Sequence, residues 1–161
     1  MRRSDREITD IDEIIQVIAQ CDVCRLAFND EEKGVPYILP LNFGYETLST
    51  GETCLYFHGA SEGYKYKVMN LNPNASFEMD CLHRLVSNED KGHCTMEYKS
   101  VIGQGIVTKI EEREEKIRIL TLLTDNYHEK HFAFNLAAVD RTTVLKLSIK
   151  QMTGKQRIVK G

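Results

Sequence analysis

Tryptophan is absent, proline occurs only three times, and no apolar run reaches the ~18 residues that a membrane helix requires. The longest uncharged stretch, Gly34 to Tyr45, has twelve residues and holds two of the prolines. The opening MRRSDREITD lacks an apolar h-region, so no secretory signal is expected. There is no internal repeat, low-complexity segment or Pro/Gly/Ser-rich linker. No GxSxG, HExxH, Walker loop or GxGxxG occurs, and Gly103-Gln104-Gly105 is too short for a dinucleotide fingerprint. These absences leave one soluble domain over residues 1–161, expected in the cytoplasm.

What is present supports a packed core. The 161 residues are 42% hydrophobic and 28% charged, with a formal net charge of −3. Charge is uneven: Arg141 to Gly161 carries six Lys/Arg and no acid, against 15 basic and 24 acidic groups before it. A basic tail admits a nucleic-acid partner. Lys146, Lys150 and Lys155, however, punctuate apolar residues at strand-like spacing, which favours a solvated strand face. Neither nucleic acid nor membrane is expected as a partner.

Five cysteines (Cys21, Cys24, Cys54, Cys81, Cys94) make an odd set in a chain large enough to fold without staples, so free thiols in a reducing compartment are expected. Cys21-x-x-Cys24 invites a zinc or redox reading. No second pair completes a tetrahedral site at common spacing, and the pair leads into a strand rather than opening a helix. No metal is expected.

Asp10 with Glu13 reads as a capping box, and Ile11, Ile14, Ile15 and Ile18 recur at helical spacing, predicting a helix over Asp10–Gln20. VCRLAFN, VPYILPLNFGY and TCLYFH follow as strands joined by short turns; Pro36 and Pro40 mark the second as an edge or a bulged strand. A helix is expected from Ser61 to about Leu71, then a strand ASFEMDC and a polar loop His83–Gly92. TMEYKSVIGQGIVTKI is a fifth strand in which Gly103 and Gly105 allow a bulge or close approach. Glu111–Asn126 is the longest helix, TTVLKLSI a sixth strand and QRIV a candidate seventh. The fold class is mainly β with flanking helices: a small antiparallel barrel of six to seven strands and three helices packed outside.

One junction has chemical content. Leu55-Tyr-Phe-His-Gly-Ala-Ser-Glu-Gly-Tyr-Lys65 runs from strand through small residues into a helix with Ser61 as the expected cap. Backbone N–H groups at such a start, together with the Lys65 ammonium, suit an anion such as a terminal phosphate. A solvated first-turn lysine is the plain alternative.

Pro36-Tyr-Ile-Leu-Pro40-Leu-Asn42-Phe-Gly-Tyr45, the Leu55–Lys65 run, Asn72-Pro73, Glu97-Tyr-Lys-Ser100-Val101-Ile-Gly103-Gln-Gly105 and Ile149…Met152-Thr-Gly-Lys155 occur in order over nearly the whole chain. Together they resemble the nitroimidazole-resistance, or nitroimidazole-reductase-like, flavoproteins of the pyridoxamine 5′-phosphate oxidase-like superfamily. The resemblance implies an FMN-binding split β-barrel and a homodimer with flavin between the subunits. It places Pro40, Leu41, Asn42 and Tyr45 along the isoalloxazine ring or ribityl chain. His58, Gly59 and Ala60 line the flavin, Lys65 meets the phosphate, and Ser100 and Val101 touch the cofactor from a further strand. His58 is also the candidate catalytic residue on the substrate side. Tyr64 stands where the vitamin-making oxidases have arginine, and their arginine-rich C-terminal motif is missing, which speaks against pyridoxamine phosphate oxidation. The implied activity is an FMN-dependent oxidoreductase. NAD(P)H or another reductant supplies electrons to a small acceptor, with a nitroaromatic as a candidate. The alternative is a non-catalytic flavin- or haem-binding or sensing module on the same barrel.

Overall fold

The computed structural model describes residues 3–159; Met1 and Arg2 of the opening segment, and Lys160 and Gly161 of the basic tail, lie outside them. The first helix starts where the Asp10 carboxylate accepts the Asp12 backbone N–H at 2.9 Å, satisfying one otherwise unpaired helix-start donor. Helix α1, Ile11–Ala19, buries Ile14, Val17 and Ile18 as one stripe. The expected reciprocal half of the capping box is not made: Glu13 accepts instead from Gln156 Nε2 at 3.0 Å.

Among the described residues there are eight strands and two further α-helices, where six or seven strands were expected. The strands are β1 (Glu7–Ile8), β2 (Cys24–Asp30), β3 (Val35–Leu41), β4 (Gly44–Thr47), β5 (Thr53–Ala60), β6 (Asn74–Asn88), β7 (His93–Ile110) and β8 (Thr142–Arg157). Helices α2 (Tyr64–Leu71) and α3 (Arg113–Asp125) follow β5 and β7. The sheet runs β3-β2-β6-β7-β8-β5-β4 with every pairing antiparallel, and β1 adds to β8. It curls into a split barrel, unpaired between β3 and β4. Pro36 and Pro40 do lie on an edge strand, where their missing N–H groups cost no ladder bond.

Two strands are additional: the short β1, and a second one made from the VPYILPLNFGY segment. That segment breaks at Asn42-Phe43, where the chain passes from one sheet edge to the other. Tyr127 pins that passage: its hydroxyl accepts from Phe43 N and donates to Asp22 O, each at 2.9 Å. Residues 83–92 are not a loop. They form the end of a long β6–β7 hairpin, with a register shift between Cys81 and Arg84 where Leu82 adopts φ 56°. The expected sixth and seventh strands are one continuous β8. Gly103 and Gly105 are explained by packing. A Cβ on Gly103 would meet Gln151 O at 2.6 Å as well as the Phe77 ring, and β7 shifts register against β8 between Gln104 and Gly105.

Two cores lie on opposite faces of the sheet. Inside the barrel, Leu26, Phe28, Leu55, Phe57, Phe77 and Val101 pack together with α1. Outside, α3 covers Cys54, Tyr56 and Val144 with Ile119 and Leu120. That cover stops short: Ile38 on β3 and Ile102 and Ile106 on β7 are 59%, 56% and 37% exposed. No helix among the described residues is long and apolar enough to cross a membrane.

Candidate functional site

Strand alternation sets the site. Along β5, Leu55 and Phe57 enter the barrel while Cys54 and Tyr56 face α3. His58 continues the outer row and Gly59 the inner one. The His58 ring therefore reaches a cavity of about 170 Å³ lined by Leu120, Leu123, Phe134 and Ala138, a mostly apolar pocket between β5, α3 and the short 3₁₀ turn Leu136–Arg141. Desolvation, and secondly the Lys65 charge, hold the His58 imidazole below its ordinary pKa of 6.5. It is neutral at pH 7. Lys65→Met removes the second cause, so His58 should titrate at higher pH in that variant; following its ring protons by NMR checks this.

Gly59 serves Lys65. The Lys65 ammonium lies so close to the Gly59 Cα that any Cβ there would collide with it. Helix α2 begins at Tyr64, with Gly63 as its cap in a glycine-favoured φ of 141°; Ser61, expected as the cap, lies two residues outside it. Lys65 is thus the second helical residue and projects back over the end of β5. Among the described residues it forms no ion pair, whereas Lys67, two positions on, meets Glu32. Tyr66 closes this corner by donating its hydroxyl to Ala60 O at 2.5 Å. Tyr64 turns away, donating to Asp30 Oδ2 at 2.8 Å beneath the Lys33 ammonium, which lies 4.0 Å from its ring centroid.

The other sequence-predicted residues fall elsewhere. Pro40 is exposed on the outer sheet face, and Leu41 and Tyr45 are half-buried against the barrel core. The Asn42 amide donates to Asp22 O at 3.0 Å, so part of its hydrogen-bonding capacity holds the β3–β4 passage. The Val101 side chain is fully buried in the barrel, which leaves only its backbone for any ligand. Ser100 is half-buried and sits between Asp80 and Lys155 in register. It is far from His58: their β8 partners, Lys155 and Val144, are eleven residues apart, about 35 Å of strand contour. The two ends also have different neighbours. Gly154, next to Lys155, packs on Ile8 and Ile14, while His58 and its partner strand lie against α3. Thus the structure brings His58, Gly59, Ala60 and Lys65 together, sets Pro40 to Tyr45 along the open edge, and leaves Ser100 and Val101 at the other end.

The cysteines form no part of this site. All five are free, and Cys21, Cys24, Cys54 and Cys81 are buried. Burial pushes the Cys24 thiol up to about 12 and raises that of Cys21 as well. Sequence reading missed Tyr66, whose hydroxyl folds back on Ala60 six residues earlier, and it missed Tyr127 and the α3 cavity, which depend on contacts between distant segments.

A curled antiparallel sheet split at one seam, with a lysine-bearing helix after β5, defines the split-barrel class. The family model described as pyridoxamine 5′-phosphate oxidase matches residues 10–156, and the chain belongs to that family. It is similar to the crystal structure of a candidate 5-nitroimidazole antibiotic resistance protein from Bacteroides thetaiotaomicron, with 33% identity over 93% of this chain and 86% of that one, and a TM-score of 0.81. A flavocytochrome from Azotobacter vinelandii shares the fold at 20% identity, covering 99% of this chain and 72% of its own, with a TM-score of 0.79. An FAD- and haem-binding protein from Mycobacterium smegmatis does so at 18% identity, 96% and 74% coverage, and a TM-score of 0.79. No curated protein matches the chain significantly.

Proposed function

We propose that this protein is an FMN-dependent oxidoreductase working as a homodimer in the cytoplasm, with a small acceptor, such as a nitroaromatic compound, bound beside His58. The observation that carries the reading is the Lys65 ammonium laid against side-chain-free Gly59 with no carboxylate partner among the described residues. A terminal phosphate supplies the missing negative charge. Bound flavin supplies the redox chemistry, accepting electrons from a reductant such as NAD(P)H and passing them to the acceptor.

The chain's residues divide the remaining work. Lys65 and the Gly59-Ala60 backbone hold the phosphate. Leu41 and Tyr45 offer a half-buried apolar wall for the ring, and the Pro40–Asn42 backbone, on an open edge, offers hydrogen-bonding groups for its polar rim. Neutral His58 can donate one N–H to an acceptor's nitro or carbonyl oxygen, in a pocket whose apolar lining favours an uncharged, compact molecule. Ser100 and the Val101 backbone contact the flavin only from a second subunit, since their own chain holds them at the opposite end. Similarity to a nitroimidazole-resistance protein supports the nitroaromatic acceptor. Five free thiols support a reducing compartment.

Purified protein should be yellow and, on denaturation, release FMN rather than FAD, as resolved by chromatography. NAD(P)H or a chemical reductant should bleach the bound flavin, and a nitroaromatic added without oxygen should restore its colour. Flavin that is bound but never reoxidised by an acceptor would mark a binding or sensing module instead. A colourless protein that takes up no FMN would refute the assignment.

A further inference from the structure

The mouth of the barrel under α2 carries a second cation. Lys109 lies near the end of β7, pairing with Leu145 of β8, which itself pairs with Phe57 of β5. Phe57 and Leu145 both point into the barrel, so Lys109 lies in the same inward-facing row, at the same end as Gly59. Its ammonium is 5.8 Å from the centroid of the Tyr66 ring, and that of Lys65 is 5.0 Å from the same centroid. The ring is fixed by its hydroxyl bond to Ala60 O. Among the described residues the carboxylate paired with Lys109 is Glu111, at a loose 3.7 Å with 74% of its side chain exposed. Two ammonium groups from separate elements thus approach one aromatic ring, and among the described residues Lys65 has no carboxylate partner.

Converging like charges repel one another, and an anion placed between them removes that cost. A dianion suits two ammonium groups better than a monoanion does. Tyr64 is occupied with Asp30 and contributes no charge here, so a second cation has to come from another strand. We propose that Lys109 is a second cationic ligand of the phosphate, joining Lys65 at the barrel mouth beside the Tyr66 ring. This rests on the flavin-phosphate reading above. It adds a residue that neither the strand–helix junction nor its sequence motif contains.

The experiment compares FMN with riboflavin, which lacks only the phosphate, by fluorescence titration of apoprotein carrying the parent sequence, Lys109→Met or Lys109→Arg. Thermal melts of all three establish that the fold is intact. Lys109→Met should weaken FMN binding about tenfold and leave riboflavin binding unchanged, and Lys109→Arg should restore most of the loss. Added salt should weaken FMN binding less steeply in Lys109→Met than in the parent. Unchanged FMN affinity in Lys109→Met overturns the proposal, and so does an equal loss for both ligands. If the parent itself binds FMN no better than riboflavin, the phosphate reading has failed, and Lys109 falls with it; that result is visible before any variant is compared.

Discussion

Lys65→Met should lower FMN affinity by about ten- to a hundredfold while leaving riboflavin affinity within error of the parent. The charge-assisted bond between an ammonium and a phosphate contributes roughly 1.5–3 kcal/mol, and ~1.4 kcal/mol corresponds to a factor of ten. Methionine keeps the aliphatic stem that lies against Gly59, so the local packing is conserved. Lys65 should matter more than Lys109, because Lys65 lies against Gly59 of β5 and has no ion-pair partner among the described residues, whereas Lys109 already has Glu111. Equal weakening of both flavins would indicate a damaged α2 rather than a lost phosphate contact. Unchanged FMN affinity would make Lys65 a solvated helix residue.

Local signals were legible in the sequence where the chemistry is local. The Asp10 cap, the isoleucine stripe of α1, the edge prolines and the close approach at Gly103 and Gly105 all follow from residue type and spacing, although the extra residue of the register shift, Lys150, lies on β8 rather than β7. The β6–β7 arm was missed because it has little apolar alternation to read. Leu82, Leu85 and Met96 are exposed, so burial left no imprint on the pattern. A turn signal was there: Asn88 Oδ1 accepts from Lys91 N at 2.9 Å, and Gly92 follows with φ 59°. The split of the second strand at Asn42-Phe43 depends on Tyr127, 84 positions away, and no short-range pattern reports that. The same holds for the site. The Gly59–Lys65 junction is contiguous in sequence and was readable, but the α3 wall of the His58 cavity and the Lys109 ammonium arrive through strand order. The wide separation of Ser100 from His58 was likewise invisible until β8 was seen as one strand paired on both sides.

That separation leads to the last expectation: Ile102→Lys should convert a dimer into a monomer and strip it of flavin. The outer face that α3 leaves bare carries Ile102 and Ile106 of β7 and Ile38 of β3 exposed, with Pro36 and Pro40 flanking Ile38 on that edge strand. Ser100 lies two residues from Ile102 on β7, so a partner seated on this face meets it. A flavin held by Lys65 of one chain and Ser100 of another requires that seating, and two-fold symmetry repeats the arrangement to give two sites. Ile102 is 56% exposed in the single chain, so a lysine there leaves the monomer's core untouched. In the dimer it buries an unpaired charge twice, at about 2 kcal/mol or more each. Association should weaken about a thousandfold, and FMN affinity should fall with it because each site loses its second half. Leu136→Lys, at a position 51% exposed on the 3₁₀ turn beside α3, is the control and should remain dimeric and yellow. Sedimentation with absorbance read at the flavin band separates the cases. A parent that sediments as an 18.5 kDa monomer with flavin still bound would eliminate the shared site, and an Ile102→Lys dimer that keeps its flavin would move the interface to another face.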